Sequence, residues 1–386
     1  MLTFCFNMKR IKSIDTFRGG SIIVMVFGHF LLFWLRPEDA WLQFWLWAFL
    51  KPLGASGFLF VSGISASLSF RNYQNTVKDS DTVSMKTVRN VYILRATFIL
   101  IIAFIFNTFS AMVWGGSIWE WNALQTIGFS LLLAWPLLKT SKLFRIFLGI
   151  AMIIGNQLIL DLLSSYKGEA SLYGILYHIL FFPLDQYVIM NFFGIFIIGS
   201  AIGEFIYNIN IIEGQNKRKY QFKNKLLKQM LLIGISLVVF IVIYQLIGIF
   251  LVVLGVIYQF PSILMFNSIP SIIFALGLIL TILSILMLIE VLEKVKTTKS
   301  YTYFFYYSYY SFTLYLLHNP LALLFLQQFN YITIWLVIAV GLVIFGLILR
   351  LTYKKLGKYA SLKAVLSIIS FLIATRLIEN RSKKSA

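Results

Sequence analysis

Residues 269–289 read IPSIIFALGLILTILSILMLI, a stretch without a single charged side chain. As an α-helix it would be about 30 Å long, which is close to the thickness of the hydrocarbon core of a membrane. The pattern also lacks the strict alternation of a half-buried strand. It therefore predicts a transmembrane helix.

Similar runs recur along the whole chain. Of its 386 residues, 60% are hydrophobic and only 12% are charged, and a soluble domain of this size could not bury so much apolar surface. Because lipid leaves no partner for an open backbone, helices are the expected element. We predict an all-α, polytopic transmembrane helix bundle of ten to eleven spans in one domain, 1–386, with a basic tail at 350–386. The predicted spans are 19–36, 54–70, 90–110, 122–138, 143–161, 188–208, 229–256, 268–291, 304–326, 331–349 and, in the eleven-span alternative, 364–378.

The distribution of charge predicts the orientation of the chain. The formal net charge is +19, and most of the 33 Lys and Arg residues fall on alternate connections between spans. The opposite connections carry only Arg36, Lys51 and Lys167. This asymmetry predicts a cytoplasmic N-terminus in a prokaryotic plasma membrane. It also assigns the basic charge to orientation and to contact with anionic membrane lipids, and argues against a nucleic-acid partner.

Two apolar segments do not fit the span pattern. Trp41–Leu50 is too short to cross a membrane, and its aromatic residues predict an interfacial helix. The external segment 161–187 is too apolar for a solvated loop, so it either re-enters the membrane or caps a cavity. It contains His178, for which a substrate-binding role is a further hypothesis.

The first span carries the most informative polar pair. Arg18 and His29 are eleven residues apart, so an α-helix places them on the same face with His29 about 16 Å deeper. Polar residues of this kind at membrane depth are expensive, which predicts that the face lines a polar cavity. A neutral His29 could act as a general base, and Arg18 could bind phosphate. Simple interhelical hydrogen bonding remains the alternative for His29.

Other polar residues extend this candidate site. His318 also lies inside a predicted span, and Ser311 falls on the same helical face seven residues earlier. Asp15 lies one turn before Arg18, where it could cap the helix and pair with that arginine. Arg71 could add to a phosphate site at the cytoplasmic surface.

Some polar side chains have an equally simple structural interpretation. Gln125, Asn156 and Asn191 could bind sugar hydroxyls, but interhelical hydrogen bonds explain them as well. Glu204, near the inner end of its span, could meet a basic loop. Three dispersed histidines and the single cysteine, Cys5, form no metal motif, so no bound metal is predicted.

The motifs as a set resemble the heparan-α-glucosaminide N-acetyltransferase-like family of membrane acyltransferases. The opening signature is Arg10-x-x-Ser-Ile-Asp-Thr-Phe-Arg-Gly19 followed by Met-Val-Phe at 25–27. It is followed in order by FLFVSGIS at 58–65, LQTIG at 124–128 and SFTLYLLH at 311–318. The resemblance thus extends from residue 10 to about residue 326.

The Arg18–His29 spacing is also similar to the motif of acyltransferase-3-type proteins, in which the matching arginine and histidine are needed for transfer and acyl-CoA is the donor. These resemblances imply acetyl-CoA or another acyl-CoA as donor substrate, a glycan or glycolipid acceptor, and no permanently bound cofactor. The implied catalytic residues are His29, His318 and Asp15. The implied substrate-binding residues are Arg18, Arg10, Arg71, Gln125, Ser311 and His178.

The chain departs from the family in two places. The stretch before the mid-chain span is Pro-Leu-Asp-Gln-Tyr at 183–187, and the first external loop, 36–53, has no histidine. Transfer to heparan glucosamine is therefore not implied. A transporter whose histidines relay protons stays open as the alternative, although inverted repeats and mid-span carboxylates are not evident. A structural membrane protein and a homodimer are open as well.

Overall fold

The computed structural model describes residues 10–79, 84–115, 117–211, 217–256, 265, 267–291 and 299–385, so Cys5 lies outside the described residues. Within these ranges the chain is α-helical and forms no strand beyond an isolated bridge between Leu35 and Phe329. This confirms the predicted all-α class. The helices are α1 (Lys12–Trp34), α2 (Ala40–Lys51), α3 (Gly57–Asp79), α4 (Met85–Trp114), α5 (Ala123–Leu137), α6 (Lys142–Leu163), α7 (Leu172–Phe181), α8 (Ile189–Ile211), α9 (Lys217–Val253), α10 (Ile269–Val291), α11 (Lys299–Tyr309), α12 (Ser311–Ala322), α13 (Thr333–Leu356) and α14 (Leu362–Ser385).

Every predicted span except 304–326 coincides with one main helix of the structure. Within the described residues, eight stretches are long and apolar enough to cross a membrane. One of them, Thr333–Leu377, runs over both α13 and α14, which only the eleven-span alternative predicts as two separate spans. Two further predicted spans, at α5 and at Ser311–Phe325, are apolar but shorter than a full crossing. The other stretches are Lys12–Trp34, Phe49–Asn75, Met85–Val113, Lys142–Tyr166, Ile189–Asn208, Asn224–Val253 and Ile269–Val291.

Polar side chains mark the starts of several helices. Asn122 accepts a hydrogen bond from the backbone N–H of Gln125 at the start of α5, and Ser141 accepts one from Phe144 at the start of α6. Such caps satisfy N–H groups that have no partner within the helix. The ends of these helices are therefore encoded locally.

Two predicted boundaries were wrong. The first helix begins at Lys12 and not at residue 19, because the polar turn before the apolar run is also helical. The predicted continuous span 304–326 is broken at Tyr310, whose backbone leaves helical geometry between α11 and α12. The Tyr310 hydroxyl donates a 2.7 Å hydrogen bond to the Gly357 carbonyl, a contact that hydropathy cannot anticipate.

The helices form two compact units. The first unit comprises the described residues of Leu59–Gly214 and Lys363–Ala386, with the segment before α1. The second unit comprises those of Lys12–Phe58 and Gln215–Leu362.

In the first unit, α8 packs closely on α3. A Cβ atom at Gly63 would lie 2.0 Å from the Phe196 carbonyl oxygen, and one at Gly199 would lie 2.3 Å from that of Phe60. Only glycine permits this approach, which is typical of helix packing in membranes. This close packing accounts for the small residues in this part of α3.

In the second unit, α1 packs on α11 through a similar contact. A Cβ atom at Gly19 would lie 2.2 Å from the Phe304 carbonyl oxygen. The start of α1 is also held by α10, because the Glu290 carboxylate accepts hydrogen bonds from the backbone N–H groups of Lys12 and Ser13, at 2.9 and 2.8 Å. These contacts fix the helix that carries Arg18 and His29.

Candidate active site

The second unit brings two of the three histidines together. The ring of His29, on α1, meets the ring of His318, on α12, edge to face with centroids 4.7 Å apart. The pairing of α1 with α12 is thus what assembles the site. His318 is buried, with 1% of its surface exposed, while His29 is partly buried.

The same local hydrogen bond orients both imidazoles. Nδ1 of His29 lies 2.9 Å from the Met25 carbonyl oxygen, and Nδ1 of His318 lies 3.1 Å from that of Leu314, each one turn back along its helix. A carbonyl oxygen can only accept, so the neutral form of each ring carries its proton on Nδ1. Nε2 of each ring therefore keeps its lone pair. Nε2 of His318 is buried and has no hydrogen-bond partner within the described residues.

Aromatic side chains enclose the pair. Phe33, on α1, and Trp47, on α2, both have ring centroids 6.4 Å from that of His29. Tyr315 lies 5.5 Å from His318 by the same measure. This apolar wall limits access of water, which strengthens any electrostatic interaction at the free Nε2 atoms.

A second cluster lies toward the start of α1. Asp15 is buried, and its carboxylate accepts hydrogen bonds from the hydroxyls of Ser308, at 3.1 Å, and Tyr301, at 3.5 Å. Arg18, itself only 8% exposed, pairs with Asp15 at 3.8 Å. The predicted Asp15–Arg18 contact is therefore confirmed, and the two residues attach α1 to α11. Arg10 lies just before this helix and is exposed.

The remaining predicted residue of the second unit is Ser311. It is buried at the first position of α12, on the helix that carries His318. Its predicted role in substrate binding stays a prediction.

The first unit contains a buried ionic cluster. The Glu204 carboxylate pairs with Arg71 at 2.7 Å and also with Arg145, which is completely buried. Arg145 further donates to the carbonyl and the hydroxyl of Ser200, both at 3.1 Å. The predicted meeting of Glu204 with basic residues is confirmed, but its partners lie on α3 and α6 and are not confined to a solvated loop. Arg71 thus has a buried partner, and its phosphate-binding role stays a prediction.

The other predicted residues of the first unit have separate surroundings. Gln125 is buried, and its side-chain oxygen accepts a 2.8 Å hydrogen bond from Asn107, which is also bonded to Asn122. His178 is exposed on α7 and stacks on Phe182 at 4.5 Å. The substrate-binding roles predicted for Gln125 and His178 stay predictions.

Sequence reasoning missed several contributors. Ser308, Tyr301 and Glu290 complete the environment of α1, but each looks like an ordinary residue of its own segment. Trp47 was predicted within the interfacial helix and not beside His29. Only helical periodicity could have indicated this contact, since it places Trp47 on the face of α2 opposite Trp41 and Trp45, which are exposed.

Fold and site together define an integral membrane helix bundle with a pair of imidazoles among its buried aromatic residues. The family model described as heparan-alpha-glucosaminide N-acetyltransferase, catalytic, matches residues 10–244, and the chain belongs to that family. It is therefore a membrane enzyme of the N-acetyltransferase type. No individual curated protein matches the chain. The matched segment contains His29, whereas His318 lies beyond it.

Proposed function

We propose that the chain transfers an acetyl group from acetyl-CoA, bound from the cytoplasmic side, to an amine or hydroxyl of a glycan or glycolipid acceptor. The observation that carries this proposal is the His29–His318 pair, with both Nδ1 atoms occupied and both Nε2 atoms available. A neutral imidazole with an available Nε2 lone pair can accept the proton of a nucleophile bound within hydrogen-bond reach.

The proposed step uses this pair as the base. The acceptor nitrogen or oxygen attacks the thioester carbonyl while its proton passes to Nε2 of His29. His29 is the proton acceptor because it is the less buried of the two, and the ring of His318 stays neutral beside it. Collapse of the tetrahedral intermediate breaks the carbon–sulfur bond, and the pair returns the proton to the sulfur to give CoA and the acetylated acceptor. Throughout, each Nδ1–H group keeps its hydrogen bond to its backbone carbonyl oxygen.

Basic residues near the cytoplasmic ends of the helices are the proposed donor-binding groups. Arg10, exposed before α1, is suited to the phosphates of CoA, since guanidinium groups bind phosphate oxygens in pairs. Within the second unit, Arg18 is proposed to contribute charge from its ion pair with Asp15. Arg71 is a separate candidate for phosphate binding within the first unit. Asp15 is proposed to hold Arg18 in place and so acts as a positioning residue.

The test is transfer of label from radiolabelled acetyl-CoA by purified protein in lipid nanodiscs. We expect His29→Ala to lower turnover by about 10²- to 10⁴-fold, as for the loss of a general base. Leu32→Ala is the matched control, because Leu32 lies three residues further along α1 and is exposed to lipid. Equal turnover by wild type and His29→Ala would reject the proposed base, and absence of CoA binding by folded wild type would favour a transporter.

A second measurement separates a base from an acetyl carrier. The protein is incubated with labelled acetyl-CoA without acceptor and then precipitated. A base leaves the protein unlabelled, whereas a carrier leaves label that hydroxylamine removes and that His29→Ala lacks.

A further inference from the structure

The first unit contains a layer of buried polar side chains that the proposed reaction does not use. Helix α8 packs against both α5 and α6. Its first turn carries Asn191, which is 1% exposed. In both α5 and α6, one buried polar residue lies at the same level as Asn191, as the register of each helix against α8 shows.

The register of α6 against α8 is set by close contacts. Near the start of α6, Arg145 bonds Ser200. A Cβ atom at Gly155, near its other end, would lie 3.7 Å from the Met190 side chain. Residues later in α6 therefore contact residues earlier in α8, so the two helices are antiparallel. Asn156 is consequently level with the first turn of α8, and it is 1% exposed.

The register of α5 against α8 follows in the same way. The Thr126 hydroxyl, at the start of α5, donates a 2.7 Å hydrogen bond to the Tyr187 carbonyl oxygen just before α8. The Tyr187 N–H also donates a 2.8 Å hydrogen bond to the Trp121 carbonyl oxygen just before α5, so these two packed helices start side by side. The two helices therefore run in the same direction. Ser130, one turn after Thr126 and completely buried, is level with Asn191.

Ser130, Asn156 and Asn191 thus form what we call the polar layer of the first unit. Within the described part of the chain, neither Oδ1 nor Nδ2 of Asn156 has a hydrogen-bond partner, and the same holds for Oγ of Ser130. A buried amide without partners costs several kcal/mol in hydrocarbon surroundings, where a leucine of similar volume would be favourable. Interhelical hydrogen bonding, the simple structural role, does not account for Asn156.

We infer that the polar layer is a binding site for a neutral group that offers a hydrogen-bond donor and an acceptor side by side. A carboxamide presents one acceptor and two donors in a plane, and a hydroxyl such as that of Ser130 can do either. Neighbouring hydroxyls of a sugar match this arrangement, and so does a secondary amide. That the polar layer binds such a group does not depend on the transfer reaction. The identity of the ligand rests on the proposed function, which offers two candidates: the acceptor sugar and the pantetheine arm of the donor.

The test is ligand-dependent thermal unfolding of the full chain in nanodiscs of sugar-free phospholipid, because glycoside detergents would compete. N-acetylglucosamine and glucosamine probe the sugar source, and pantetheine probes the amide source, all in the absence of acetyl-CoA. We expect a saturable rise in Tm for the wild type with at least one probe. Asn156→Leu and Ser130→Ala should weaken that binding on the order of tenfold, as for the loss of a buried hydrogen-bonding partner.

Gln157→Leu is the matched control, since this amide lies next to Asn156 but bonds the exposed Asp161 on another face of α6. It should leave the affinity unchanged. Asn156→Leu should also raise the Tm of the unliganded protein, because the leucine removes an unpartnered amide.

If a sugar raises the Tm and Asn156→Leu weakens this effect, the polar layer binds the acceptor. If pantetheine gives the same result, the polar layer binds the donor. No saturable shift with any probe, or equal affinity in wild type and both layer variants, would overturn the inference. Because no acyl donor is present, either result is independent of whether His29 catalyses transfer.

Discussion

Nε2 of His318 is buried beside the ring of His29, and the two rings meet edge to face at 4.7 Å. Each ring is held by a hydrogen bond to the carbonyl one turn back on its own helix, so neither can turn without losing it. The pair therefore presents two fixed lone pairs, and protonation of both rings would bring two positive charges together.

The first prediction concerns the share of His318 in this pair. His318→Ala removes the second nitrogen and should lower kcat for acetyl transfer on the order of a hundredfold, with little change in the KM for acetyl-CoA. Steady-state kinetics with labelled acetyl-CoA measure both. Leu317→Ala is the control, because the neighbouring Leu317 is exposed on the same helix. An unchanged kcat for His318→Ala would show that His29 acts alone.

The sequence was sufficient to find the members of this pair but not their contact. A histidine inside an apolar run stands out because polar groups at membrane depth are expensive. Helical periodicity then gives the face of each helix, yet it cannot say which faces of two distant helices meet. Glu290 and Ser308 illustrate the same limit, because their importance depends only on their distance from α1. Arg145 shows this limit too, because its position near the start of a predicted span does not reveal that it is completely buried against Glu204.

The second prediction concerns the close contact between α1 and α11. Gly19→Ala would put a Cβ atom 2.2 Å from the Phe304 carbonyl oxygen, so α1 must shift. We expect a loss of about 1–3 kcal/mol in stability, as for an overpacked core, and a lower Tm by intrinsic fluorescence. Gly20→Ala is the control, because it makes the same substitution at the next residue, where nothing lies within 4 Å of the Cβ position. It should leave stability unchanged or raise it slightly. Equal Tm values for the two variants would contradict the packing.

The third prediction concerns the buried Asp15–Arg18 pair. Asp15→Asn removes the carboxylate charge that pairs with the buried Arg18 guanidinium and that accepts a hydrogen bond from Ser308. The expected loss is about 3 kcal/mol, and it should appear as a lower thermal midpoint in nanodiscs. The double variant Asp15→Asn/Arg18→Leu should recover much of that loss, because it also removes the buried cation that the Asp15 carboxylate pairs with. If the double variant is as unstable as the single one, the charge pairing is not the cause.

The fourth prediction concerns Glu204, the one carboxylate that pairs with two arginines in the described part of the first unit. Glu204→Gln keeps the shape but leaves Arg71 and Arg145 facing each other without a countercharge, which should cost about 3–5 kcal/mol. Because α3, α6 and α8 all meet at this cluster, the loss should appear as lower yield of monodisperse protein and a lower Tm. Asp161→Asn, a change of the same kind at the exposed C-terminal end of α6, should leave both unchanged. A Glu204→Gln protein as stable as the wild type would mean that the two arginines are neutralised by other groups.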